Sequence, residues 1–219
     1  NRFTSRILGP TFSLRPNSRK TSRSALSSAW ELWGDDADIE VTEASGLGLD
    51  HDAYVSLANA FFDRRWPYLP VLHRGSFFQL HLTPFMAQSG MRPLSNFLVN
   101  IVCAIASTER SSRQTCGKSS KVFFREAVKD LYLVMSSDNF ECIQCLLLLC
   151  IYGHNEPQSV NMWYTTGLAL NLAIGIDLHR KESISGQDML EAEMCKRVFW
   201  CAYVMSCSMA INMGRPLGI

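Results

Sequence analysis

Apolar positions first recur at helical spacing just after Asp50, where Leu57, Ala58, Phe61 and Phe62 are separated by threes and fours. Trp66-Pro67 and Leu69-Pro70 end that run, because proline supplies no amide donor and pushes the residue before it out of the helical region. A short helix followed by an extended bend is predicted. The next run, over about 94–110, places Leu94, Phe97, Leu98, Ile101, Val102 and Ile105 on one helical face. A polar, basic stretch from Arg110 to Lys121 ends it. A third helix is expected to bury Val122, Phe123, Leu131, Tyr132 and Met135 while Lys121, Arg125 and Lys129 face water.

Asp138-Asn139-Phe140-Glu141 has the form of a capping box, and the helix it opens, through Tyr152, is apolar nearly all round and therefore expected to be central. Beyond Gly153-His154-Asn155-Glu156-Pro157 runs a stripe of Trp163, Gly167, Leu170 and Ile174, with Gly167 and Ala173 small enough to admit a neighbouring helix and Gly175 as a stop. A second capping box, Asp188 to Glu191, opens a last helix that buries Leu190, Met194, Val198, Cys201, Met205 and Met209 until Gly214 and Pro216 end it. Neither a strand pattern nor an internal repeat is found, so the expected fold is all-α, an irregular multi-helix bundle over residues 51–219.

Residues 1–50 carry a different composition. Asn1 to Trp30 holds six basic residues and no acid, whereas Glu31 to Asp63 holds nine acids and no Lys or Arg. This basic-then-acidic stretch reads as a linker with too little apolar surface to offset the entropy of ordering. Its basic part suits either phosphate contact and nuclear import or a solvated connector. The whole chain has a net charge of +1, which gives no general attraction to nucleic acid or acidic lipid. No secretory signal follows the basic start, and the longest apolar run, Cys142 to Tyr152, is too short to cross a bilayer, so no membrane partner is expected. The chain opens on Asn and stops just past Gly-Arg-Pro, so it is expected to be a C-terminally incomplete piece of a longer product.

Candidate chemistry is sparse. Cys142-x-x-Cys145 has a zinc-ligand spacing, but it lies in an apolar helix without a matching second pair, which favours packed thiols. His73 and His179 suit backbone capping better than metal binding, and His154 stands apart. Cys116-Gly117-Lys118-Ser119 imitates the tail of a phosphate loop without its first glycine or its strand. No nucleophile elbow, zinc-protease helix or placed carboxylate pair is present, so no enzyme is expected. Lys196 and Arg197 beside Glu191 and Glu193 read as a solvated helix face, and Trp163, Phe199, Trp200 and Tyr203 as core or as the wall of a pocket.

Three segments together resemble the fungal-specific transcription factor domain, the middle homology region of fungal zinc-cluster regulators. The first is Ala60-Phe61-Phe62 with Trp66, Pro67, Pro70, His73 and then Ser76-Phe77-Phe78. The second is Cys142-Ile143-Gln144-Cys145 to Tyr152, then Trp163, Gly167 and Gly175-Ile176-Asp177-Leu178-His179-Arg180. The third is Glu193 to Tyr203, including Arg197, Phe199 and Trp200, with Gly214-Arg215-Pro216. Where the family usually has an Asp-Arg pair, this chain has Ser206-Cys207.

The resemblance implies a nuclear regulatory domain over 51–219 with no catalytic, cofactor or metal site of its own. It implies that zinc belongs to a DNA-binding head that residues 1–102, which lack cysteine, cannot form. DNA would be reached only through that head, and the resemblance leaves open a homodimer, a small-molecule effector or a transcriptional co-regulator as partner. A helical ligand-binding protein or enzyme with similar aromatic helices, or a dimerisation scaffold, is the alternative reading.

Overall fold

The computed structural model describes residues 49–88, 92–109, 119–136, 140–180 and 188–216, all within one unit, Gly46–Ile219. Helix α1, His51–Arg64, starts where the Asp50 carboxylate accepts the His51 amide at 2.8 Å. Its inward face carries Tyr54, Leu57, Ala58, Phe61 and Phe62. The predicted bend follows: Trp66 and Pro67 lie in a turn, and over Leu69–His73 the chain leaves the helix, the amide of the fully buried Val71 donating to the Leu69 carbonyl at 2.8 Å. Two side chains satisfy the carbonyls of this bend. The Gln144 amide donates to Val71 at 2.7 Å, and the Trp66 indole donates to Leu72.

His73 caps the next helix, α2, Arg74–Phe77, its Nδ1 accepting the Ser76 amide at 3.1 Å. The backbone then widens into a π-turn over Phe78–Leu82 before α3, Thr83–Met86. Pro84 removes a donor from this stretch, and the Thr83 hydroxyl bonds back to the Phe78 carbonyl at 2.9 Å. Helix α4, Pro93–Ala106, has proline in its first turn and is buried from Phe97 to Ala106. It is the central rod, touching α1, the π-turn, α5 and α7.

One helix was expected over Val122–Met135; there are two, α5, Ser120–Lys129, and α6, Leu131–Val134. The break falls at Asp130, whose carboxylate accepts the Asn96 side-chain amide from α4, and it turns Tyr132 out to 80% exposure. Helix α7, Phe140–Asn155, is buried continuously from Cys142 to Gly153, and its Tyr152 ring stacks on Phe124 of α5 at 4.4 Å. The capping Asp138 lies outside the described residues.

Helix α8, Met162–Gly175, is capped by the Asn161 side chain. Its buried positions are Thr166, Ala169, Leu170 and Ala173, so Trp163, Gly167 and Ile174 sit only half-buried beside the expected stripe. A Cβ on Gly167 would meet nothing within 4 Å; the close approach is at Gly153, where it would lie 3.0 Å from Val160 Cβ. Helix α9, Met189–Met213, packs on α8 and α7. The Asp188 side chain makes no capping bond, contrary to the predicted box, and Leu190 is exposed. Gly214 closes α9 in the left-handed conformation, φ 61°, which a residue without Cβ adopts at least cost. The described residues contain helices, turns and no strand, the all-α bundle expected.

Candidate functional site

A cavity of about 830 Å³ opens where the π-turn, the start of α4, the first turn of α7 and the first turns of α9 converge. Leu72, Phe77, Leu98 and Met194 are among its apolar walls. Polar side chains reach it from several elements: His81 and Gln79 from the π-turn, Ser95 from α4 and Gln144 from α7, beside His73 and Ser76 at the start of α2. Ser95 is 2% exposed and its Oγ lies 3.1 Å from His81 Nδ1. Burial holds the His81 imidazole below its ordinary titration range, the nearby Arg92 guanidinium adds to this, and Glu141 opposes it. Arg92 and Glu191 sit at exposed rim positions, with Glu141 half-buried between the two environments.

The residues singled out by sequence fall mostly elsewhere. His73 and Phe77 line the cavity, His73 also serving as the helix cap. The others act as joints between segments distant in sequence. The Arg197 guanidinium lies 5.9 Å from the Trp66 ring and pairs with Glu193 at 3.1 Å, tying α9 to the bend after α1. His179 faces Phe199 at 6.2 Å, and Phe199 in turn meets Trp200 and Tyr203. Arg215 folds back over Trp163 at 5.1 Å, while Arg180 pairs with Asp177 at 3.3 Å. Gly175 ends α8 and Gly214 ends α9. Pro67 and Pro216 are exposed and Pro70 half-buried. Trp200 is not core, being 59% exposed, and shares an outward stripe with Val204 and Ile211.

Of the expected solvated pair, Lys196 is exposed and 3.9 Å from Glu193, whereas Arg197 is half-buried against Trp66. Both members of the Cys142-x-x-Cys145 pair are buried in α7, and burial pushes the Cys145 thiol well above its usual range. Among the described residues no group of three or more His, Cys, Asp or Glu could hold a metal, and no helix is long and apolar enough to cross a membrane. The phosphate-loop imitation at Cys116–Lys118 and the basic stretch 1–30 lie outside the described residues.

Sequence reasoning passed over His81, Ser95, Arg92 and Glu141. The available signal was Pro84 three residues beyond a histidine, together with single polar residues, Ser95 and Gln144, set in otherwise apolar helices.

A family model described as fungal specific transcription factor domain matches residues 58–219. Similar curated proteins include pyrimidine pathway regulatory protein 1 of Saccharomyces cerevisiae, 31% identical over 124 residues, covering 56% of this chain and 14% of that protein. Protein STB5 of the same yeast is 35% identical over 96 residues, 42% of this chain and 13% of that protein. An ABC-transporter-regulating transcription factor of Aspergillus fumigatus is 27% identical over 172 residues, 75% of this chain and 19% of that protein. The chain therefore spans less than a fifth of the length of these relatives. No solved structure matches it. With the family match running from the middle of α1 through every later helix, this chain belongs to the fungal-specific transcription factor domain family, a family of transcription regulators.

Proposed function

We propose that this chain is the regulatory region of a nuclear zinc-cluster transcription factor, and that it changes transcription by sensing a small effector rather than by reading bases or catalysing a reaction. Family membership supports the regulatory role. The observation that carries effector sensing is the cavity, because its walls come from four parts of the chain, including the starts of α7 and α9. A ligand bound there contacts segments as distant in sequence as Leu72 and Cys195 and shifts the balance between helix packings by its differential affinity for them. On this reading DNA contact and zinc belong to a separate head, and the chain is one part of a longer regulator.

Tethered to a heterologous DNA-binding domain, the 219-residue chain is expected to change output from a reporter promoter several-fold. A cavity-filling Leu98→Trp variant that remains folded by circular dichroism is expected to shift that output. A tethered chain with no effect on transcription, or sequence-specific DNA binding by the untethered chain in a mobility assay, overturns the reading. The outward stripe of Trp200, Val204 and Ile211 supports a second reading, a dimerisation scaffold, for which light scattering would show concentration-dependent association abolished by Val204→Glu with Ile211→Glu.

A further inference from the structure

Resting on the effector-site reading above, we infer that the cavity beside the π-turn selects an uncharged amphiphile, a molecule with an apolar body and one hydroxyl or carbonyl head, over a carboxylate or an amine. Its size falls in the range of about 300–1,000 Å³ typical of small-molecule sites. The polar groups at depth are all neutral. Ser95 is 2% and Gln144 9% exposed, and His81 is half-buried on the widened turn.

Much of their bonding capacity is already committed. The Gln144 amide nitrogen donates to the Val71 carbonyl, which leaves its oxygen as an acceptor. His81 Nδ1 engages the Ser95 hydroxyl, which leaves Nε2 as the ring nitrogen available to a ligand. One acceptor and one imidazole nitrogen suit a group that both gives and takes a hydrogen bond, as an alcohol does. The loss of the imidazole charge on burial agrees with this geometry.

The charged residues argue the same way. Arg92 and Glu191 are exposed at the rim and Glu141 is half-buried, so an entering anion gains one cation and meets two carboxylates. An entering cation gains Glu191 and Glu141 and meets Arg92, but deeper in, among Phe77, Leu98 and Met194, it has no carboxylate to follow it. A buried charge without a buried counter-charge is strongly disfavoured, whereas a hydroxyl needs only the hydrogen bonds provided. The π-turn is the independent sign of use, because such turns recur at functional sites and this one sets His81 against α4.

The test is calorimetric titration of the 219-residue chain at pH 7.5 with three probes that share one body: 4-phenylbutan-1-ol, 4-phenylbutyrate and 4-phenylbutylammonium. The alcohol is expected to saturate one site and to bind at least about tenfold more tightly than either ion. Ser95→Ala should weaken it, and Leu98→Trp should abolish it. Should Leu98→Trp fail to fold, Leu190→Trp at the exposed rim serves as the blocking variant. The His81 ring resonances should move on addition of the alcohol.

Equal or tighter binding of either ion overturns the inference. So does the absence of saturable binding by the alcohol up to millimolar concentration, or binding that both blocking variants leave intact. The reporter assay separates the two readings. Alcohol binding at the cavity with unchanged reporter output upholds the ligand class and removes the effector role, whereas output that follows the carboxylate through the same cavity keeps the effector role and overturns the ligand class.

Discussion

Helices α7 and α9 are both apolar on more than one face, yet they stand in opposite surroundings. Twelve of the sixteen residues of α7 are buried, so its all-round apolarity is used on every side. Only eight of the twenty-five residues of α9 are buried, and Trp200, Val204, Ile211 and Met213 face outward. Apolarity on more than one face thus has two outcomes: a rod enclosed by neighbours, or a rod that keeps an apolar surface available.

The largest contrast between them should be kinetic. In α7, burial pushes the Cys150 thiol up to about 12 and Cys145 well above its usual range, while Cys207 of α9 is half-exposed. Native alkylation followed by mass spectrometry is expected to modify Cys207 about a hundredfold faster than Cys145 or Cys150. Comparable rates would mean that α7 opens as readily as the surface.

In equilibrium stability, Leu147→Ala, at a position with no exposure, should lose about 2–5 kcal/mol, whereas Val204→Ala should stay within about 0.5 kcal/mol. Urea denaturation measures both, and a large loss at Val204 would show that the outer face of α9 is covered after all. The two glycines on either side of the α7–α8 connection sharpen the comparison further. Gly153→Ala sets a Cβ 3.0 Å from Val160 Cβ and 3.3 Å from Met162 Cγ and should lose about 1–3 kcal/mol. Gly167→Ala enters open space within a helix and should gain about 0.5–1 kcal/mol.

The smallest effect expected is on pH. Burial lowers the His81 pKa from 6.5, so the unfolded chain takes up this proton before the folded one does. His81 therefore contributes nothing adverse above about pH 6.5 and destabilises increasingly as pH falls below it. The urea midpoint should drop less between pH 7.5 and pH 5.5 in His81→Gln than in the unaltered chain, and equal drops would place the imidazole in water.

The rods of the bundle were legible because their boundaries are local. Prolines stop α1, Pro93 starts α4, and Gly214 ends α9, each acting within a few residues of its own position. The features that depend on distant partners were not legible. The break at Asp130 follows from its bond to Asn96 on another helix, and the tight packing at Gly153 follows from how the chain returns through Val160. The cavity was hidden for the same reason. His81, Ser95 and Gln144 stand on three elements, and only tertiary packing sets their polar atoms around one space. The aromatic and charged motif residues were visible as a set, but the sequence did not reveal that Trp66 meets Arg197 or that Trp163 meets Arg215.

The length of α9 gives its first turns a mechanical significance. Twenty-five residues at 1.5 Å each make a rod of roughly 37 Å, and one end of it forms a wall of the cavity. A tilt of about ten degrees there sweeps the far end through roughly 6 Å. On the proposed effector reading, a tilt of α9 driven by a ligand beside His81 would therefore be felt most at Gly214, the end farthest from the cavity.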